Sequence, residues 1–361
     1  MRRWIGIGLA AVLAVAVVGA IILSVAQRIN PPKPLTVVRG VIGSEKLPFF
    51  RDQAVIKVFH DNGFDVQVDT AGSRQIATTV DLSKYDFAFP AGVPAAQKIQ
   101  ADRRAKTVYS PFYTPMAIAT FKPIVQLLIR DGVAKDNGGY VSLDVAAFLN
   151  DVKSNKRWNS IAGNTEYPSS KSILITSTDI RTSNSAAMYL SLASYVANNN
   201  NIVQDPNQAT AVATRVEPIF IKQGLTASSS EEPFQDYLSI GMGKTPMVMI
   251  YEAQYLAAAA SNDGSITSDR VVMYPDPDVL SKHTLVPLSG NGDKIGQLLV
   301  NDSQLQKLAT KYGFRTNNAA TFNQFLADHK LTSPSLVNLI EPPTYENLEA
   351  MITTIQQHMG G

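Results

Sequence analysis

Three times between residues 36 and 92 an apolar run ends in a turn of small residues that leads into a helix: Gly43-Ser44-Glu45-Lys46, Gly72-Ser73-Arg74 and Phe89-Pro90-Ala91-Gly92. Strand, tight turn and helix in alternation confine a chain to an open α/β sheet, with each turn at the carboxyl edge of its strand. Such turns gather backbone N–H groups and short hydroxyls where open sheets collect ligands. The pattern predicts strands over 35–41, 65–70 and 85–89, and helices over 52–62, 73–80 and 93–103.

A long extended passage follows, from Thr107 through Ser110-Pro111-Phe112-Tyr113-Thr114-Pro115 to Phe121, and its prolines mark it as a crossing between domains. A second unit then reads as a helix over 142–151, a strand over 172–176, and the polar turn Asp179-Ile180-Arg181-Thr182-Ser183-Asn184-Ser185 feeding a helix over 186–197. Further helices are expected over 209–221 and 233–240, and a strand over 247–251 that Glu252 leads into a helix. Val271-Val272-Met273-Tyr274 with Pro275-Asp276-Pro277 reads as the return crossing. Amphipathic helices over 304–312 and 345–358 are expected to close on the first lobe. The domain reading is therefore 1–28, 29–35 (a proline-stiffened spacer), 36–115, 116–272 and 273–361.

Residues 1–28 constrain location. Behind Met1-Arg2-Arg3 no charge occurs from Trp4 to Gln27, and residues 5–26 are apolar except for glycine and Ser24. At ~1.5 Å per residue this stretch is about 33 Å long, close to the ~30 Å hydrocarbon core. It is read as an N-terminal transmembrane helix, uncleaved, with the arginines on the cytoplasmic side and everything after Arg28 outside. Ser24-Val25-Ala26 also has the form of a cleavage site, which would release the chain. Without Arg2, Arg3 and Arg28 the 32 basic residues become 29 against 30 acidic ones, so the exported part has no basic excess for nucleic acid. The chain has no cysteine, which removes disulfides, thiolate metal sites and lipidated cysteine from consideration.

Gly43-Ser44-Glu45-Lys46, Gly72-Ser73-Arg74, Tyr109-Ser110-Pro111-Phe112, residues 179–189 and Tyr251-Glu252-Ala253-Gln254 together resemble the type II periplasmic solute-binding proteins of bacterial ABC transporters. The nearest branch binds oxyanions, and the chain is actinobacterial in style. The resemblance implies an α/β fold of two lobes joined by two crossing strands, with a small solute clamped by hinge closure. It implies no cofactor, no metal and no catalytic residue. Its partners would be a small polar or anionic solute, for which an oxyanion is the model, and an ABC permease, with the N-terminal helix in the membrane.

By that resemblance Ser44, Ser73 and Ser183 or Ser185 are hydroxyls at helix starts facing the solute, and Tyr251 lies beside it. Glu45 and Glu252 would repel a dianion if they faced the cleft, whereas Arg74 and Arg181 would hold one through charge-assisted bonds. The pair that faces inward decides the solute's charge. The same serines also serve as ordinary N-caps. A reading of a different class keeps this fold as a structural or sensory ectodomain that docks another envelope protein.

Enzyme motifs are incomplete. Gly241-Met242-Gly243-Lys244-Thr245 ends like a phosphate-binding loop but has Leu238 where its first glycine belongs, and Ser289-Gly290-Asn291-Gly292 has Ile295 in place of a third glycine. His60, His283, His329 and His358 are scattered along the chain, with no ligand partner at helical spacing.

Overall fold

The computed structural model describes residues 34–224 and 226–359, so the expected anchor and most of the spacer lie outside the described residues. Among the described residues no helix is long and apolar enough to cross a membrane.

β1 (Thr36–Ile42) pairs in parallel with β2 (Phe64–Thr70) and with β3 (Phe87–Phe89), the arrangement the first three strand–turn–helix units predict. Successive side chains on a strand point to opposite faces. Ile42, Phe87 and Phe89 accordingly enter one core with Phe49, Phe50, Phe59 and Leu299. Val41 and Ala88 enter a second core with Ile76, Ala95 and Ile99 on the other face. This sheet, covered on both sides, is the first lobe.

Two long strands run out of it. β4 (Tyr109–Phe121) is antiparallel to β9 (Asp278–Pro287) over its first half, Tyr109 facing Leu285 and Pro115 facing Leu280. Its second half carries β7 (Met247–Tyr251) and β8 (Arg270–Asp276), both antiparallel to it. β8 continues in parallel to β6 (Val141–Asp144), which pairs with β5 (Ala134–Asp136). The other end of β9 is antiparallel to β3. The short β10 (Arg315–Thr316) and β11 (Leu339–Ile340) edge β4 and β9. β4 and β9 therefore belong to both lobes, and the sheet is continuous through them.

The second lobe packs around helix Asn184–Ala197, which is buried on nearly every side. Its internal serines stay satisfied by back-bonding, Ser191 Oγ to the Ala187 carbonyl at 2.9 Å and Ser194 Oγ to the Ser191 carbonyl at 3.0 Å.

Several expectations need correction. The helix expected over 142–151 begins only at Val145, because residues up to Asp144 are taken up as β6 beside β8. The return crossing is β9, not residues 271–277: β8 remains in the second lobe's sheet because its valines and Met273 pair with the apolar end of β4. Residues 172–176 form only isolated bridges, Arg157 with Ser172 and Thr176 with Val248. Helix Tyr345–His358 packs on the second lobe, where its stripe Leu348, Met351, Ile352 and Ile355 joins Val203, Ala209 and Val216.

Candidate functional site

The turns after β1 and β2 meet the start of helix Asn184–Ala197 and the Ser228-Ser229-Ser230 loop around a chamber of about 190 Å³ between the lobes. Of the residues the sequence singles out, Ser44, Glu45, Ser73, Ser183 and Tyr251 line it. Ser44 Oγ lies 2.9 Å from Ser229 Oγ of the other lobe. Ser73 opens helix Ser73–Thr78, and its Oγ accepts the Ala91 N–H at 2.9 Å, tying the second turn to the third. Ser183 precedes helix Asn184–Ala197 without capping it and instead faces Ser185 Oγ at 3.1 Å. Tyr251, at the end of β7, accepts from Asn184 Nδ2 at 3.1 Å. Its hydroxyl is held protonated, first by burial and then by the charge of Glu45.

The lobes touch directly around the chamber. A Cβ on Gly72 would stand 2.3 Å from the Thr182 carbonyl oxygen, and one on Gly92 would stand 2.2 Å from Asn184 Oδ1. At Gly72 the obstacle is backbone, so only a residue without a side chain permits that approach.

The other four candidates are engaged elsewhere. Arg74 reaches away from the chamber: its Nε and Nη2 bind the Glu349 carboxylate at 2.7–2.9 Å, and Nη1 donates to the Arg181 carbonyl at 2.9 Å. Glu349 belongs to the helix packed on the second lobe, so Arg74 clasps one lobe to the other. Arg181 is held by Asp179 through Nε at 2.8 and 3.0 Å, and its side chain is half exposed. Ser185 is fully buried against Thr178 Oγ1 at 2.7 Å. Glu252 is fully buried as well, bound by Arg315 Nε at 2.9 Å, by the Tyr274 hydroxyl at 2.9 Å and by Ser333. Its pair with Arg315 ties the second lobe to β10.

Behind the chamber lies a buried ionic group that the scattered histidines did not reveal. Lys46 is fully buried, its Nζ bound to Glu45 Oε1 and 3.1 Å from His283 Nδ1. Burial opposes the charge on Glu45, but Lys46 and His283 outweigh it and hold the carboxyl well below its usual range. Burial first, and then the Lys46 charge, bring His283 down to about 4, so it is neutral at pH 7. His283 sits on β9 opposite Phe112 of β4, which places this group at the two crossing strands.

Sequence reading also missed Asn184, Gly72 as a contact point, and the three serines at 228–230. A run of three hydroxyls just before helix Glu231–Ser239 was the available signal.

No family model matches the chain, and no curated protein does. Solved structures do. The sulfate-binding protein SubI from Mycobacterium tuberculosis is 16% identical, with 90% of this chain and 100% of that one covered and a TM-score of 0.54. The periplasmic binding protein AfuA from Actinobacillus pleuropneumoniae, solved with fructose-6-phosphate, is 10% identical over 89% of this chain and 96% of its own, with a TM-score of 0.53. An ABC transporter solute-binding protein from Thermotoga lettingae bound to α-D-tagatose is 12% identical over 90% and 94%, with a TM-score of 0.50. At these identities the likeness is one of fold, and the chain has the mixed α/β, two-lobed fold of periplasmic solute-binding proteins.

Proposed function

We propose that this chain is an extracytoplasmic solute-binding protein that encloses a small polar solute between its lobes and presents it to an ABC-type permease. The observation that carries this reading is the chamber itself, which is lined by hydroxyls and helix starts from both lobes, with β4 and β9 running between them. Hinge motion about β4 and β9 would open it, and the Arg74–Glu349 pair and the Ser44–Ser229 contact would re-form on closure. Residues 1–28 would hold the protein at the outer face of the membrane. The reading assigns no bond-breaking step to any residue.

A ligand that binds only the folded form stabilises it by RT ln(1 + [L]/Kd), about 2.7 kcal/mol at a hundredfold excess over Kd. The test is a thermal-shift screen of the purified protein against oxyanions, amino acids, polyamines and sugars, followed by small-angle scattering with each hit. A saturable rise in melting temperature is the expected result. Silence across the whole panel would overturn the proposal and favour an envelope ectodomain that docks another protein.

A further inference from the structure

The charge of the solute depends on which ionisable groups reach the chamber, and this inference rests on the solute-binding reading above. Among the described residues lining the chamber Glu45 is the sole carboxylate, and no lysine or arginine accompanies it. Its side chain is 7% exposed. Oε1 is taken by Lys46 and lies 3.4 Å from His283 Nδ1, whereas no side chain or backbone N–H among the described residues donates to Oε2. Lys46 stands behind the carboxylate, 4.9 Å from the Phe89 ring centroid, and does not line the chamber. It keeps Glu45 ionised without offering its own charge to a solute.

The opposite character comes from helix Asn184–Ala197. It is 14 residues long, begins at the chamber with Ser183 and Asn184, and has no side-chain cap. The first N–H groups of a helix have no partner within it, and they carry the positive end of its dipole. Lys46 balances Glu45 from behind, yet the oxygen that Glu45 leaves toward the chamber accepts from no donor among the described residues. An ammonium finds an acceptor there, whereas a dianion finds no free cation to replace its water, because Lys46, Arg74 and Arg181 are already paired. We infer that the chamber takes a small zwitterion, with its protonated amine on the free oxygen of Glu45 and its carboxylate at the start of helix Asn184–Ala197. This departs from the oxyanion class that the sequence resemblance implied.

The deciding experiment is calorimetric titration of the purified protein with α-amino acids. Each is matched to the 2-hydroxy acid of the same skeleton, as alanine is to lactate, beside sulfate, phosphate, molybdate and sugars. At least one amino acid should bind saturably and its hydroxy counterpart about tenfold or more weakly, the loss expected of one charged hydrogen bond. Glu45→Gln should weaken the amino acid by about tenfold to a hundredfold. If leaving Lys46 unpaired prevents folding, the double variant Glu45→Gln, Lys46→Met removes both charges, and the wild-type comparison of amine with hydroxyl decides in any case. Equal binding of the hydroxy acid, or tight binding of sulfate, molybdate or a sugar alone, would overturn the inference and leave the solute-binding reading standing. Silence of every solute would overturn both.

Discussion

Gly72→Ala tests whether the chamber works by closure. Gly72 has φ −63° and ψ 145°, an extended conformation that alanine adopts without strain. In the free chain the change should therefore be neutral or stabilising by about 0.4–1 kcal/mol, through the unfolded state. In the closed arrangement the new Cβ would stand 2.3 Å from the Thr182 oxygen, below the 3.0 Å that Cβ atoms keep. The obstacle is a backbone carbonyl, which cannot swing aside as a side chain would. The lobes must separate locally by at least about 0.7 Å, which stretches the Arg74–Arg181 and Ser44–Ser229 contacts from 2.9 Å each to about 3.6 Å, beyond hydrogen-bond range. At ~1 kcal/mol per bond the closed form loses about 2 kcal/mol, roughly a thirtyfold fall in its population relative to the open form. Solute affinity should drop by a similar factor, because a solute that needs the closed form binds in proportion to its population. Calorimetry gives the affinity, small-angle scattering the radius of gyration, and a melting curve the stability. Wild-type affinity and dimensions in Gly72→Ala would refute the argument that these two turns close on the solute.

His283 predicts acid sensitivity. Its pKa is about 4 in the fold against an ordinary 6.5, so the unfolded chain binds the extra proton between those values. The stability this group contributes is complete above pH 6.5 and is lost as pH falls toward 4, by about 3 kcal/mol in all. Glu45, also depressed, adds to the loss only below its own ordinary range. Denaturant melts from pH 7.5 to 4 should show this slope, and His283→Gln should flatten it; an unchanged slope would show that His283 does not titrate. Arg74→Ala should loosen the lobes and weaken solute binding by about tenfold through the lost clasp, whereas Arg181→Ala should leave affinity within about threefold, since Arg181 serves only Asp179. Calorimetry on the two variants checks this, and the reverse ranking would return Arg181 to the site. Arg315→Ala should cost about 3–5 kcal/mol in a denaturant melt, because it leaves Glu252 buried and unpaired; a loss under ~1 kcal/mol would show that Glu252 is neutralised some other way.

The first lobe was legible because its signals are local. Strand periodicity, the glycine–serine turns and the helix starts after β1 and β2 all act within about ten residues, and the structure has them where the pattern puts them. Residues 278–287 were not read as a strand, since a crossing strand is defined by partners on both lobes, which lie more than a hundred residues away in the chain. Helix Tyr345–His358 was legible as an amphipathic helix, but its destination was not. Its apolar stripe would serve either lobe, and the choice depends on which core presents a matching groove.

Side-chain direction divides the candidate residues in the same way. The sequence alone placed Ser44, Ser73 and Ser183 at the starts of helices, because a small polar residue after an apolar run is a local signal, although none of the three makes a side-chain cap bond in the fold. Arg181 is held by Asp179, two residues before it, but whether Arg74, Glu45 or Glu252 faces the chamber was decided by partners distant in sequence. Glu349 draws Arg74 off to the second lobe's helix, Arg315 holds Glu252 against β10, and Lys46 with His283 fixes Glu45 at the chamber wall. A charge seeks its nearest opposite in space, and only the folded chain says where that lies.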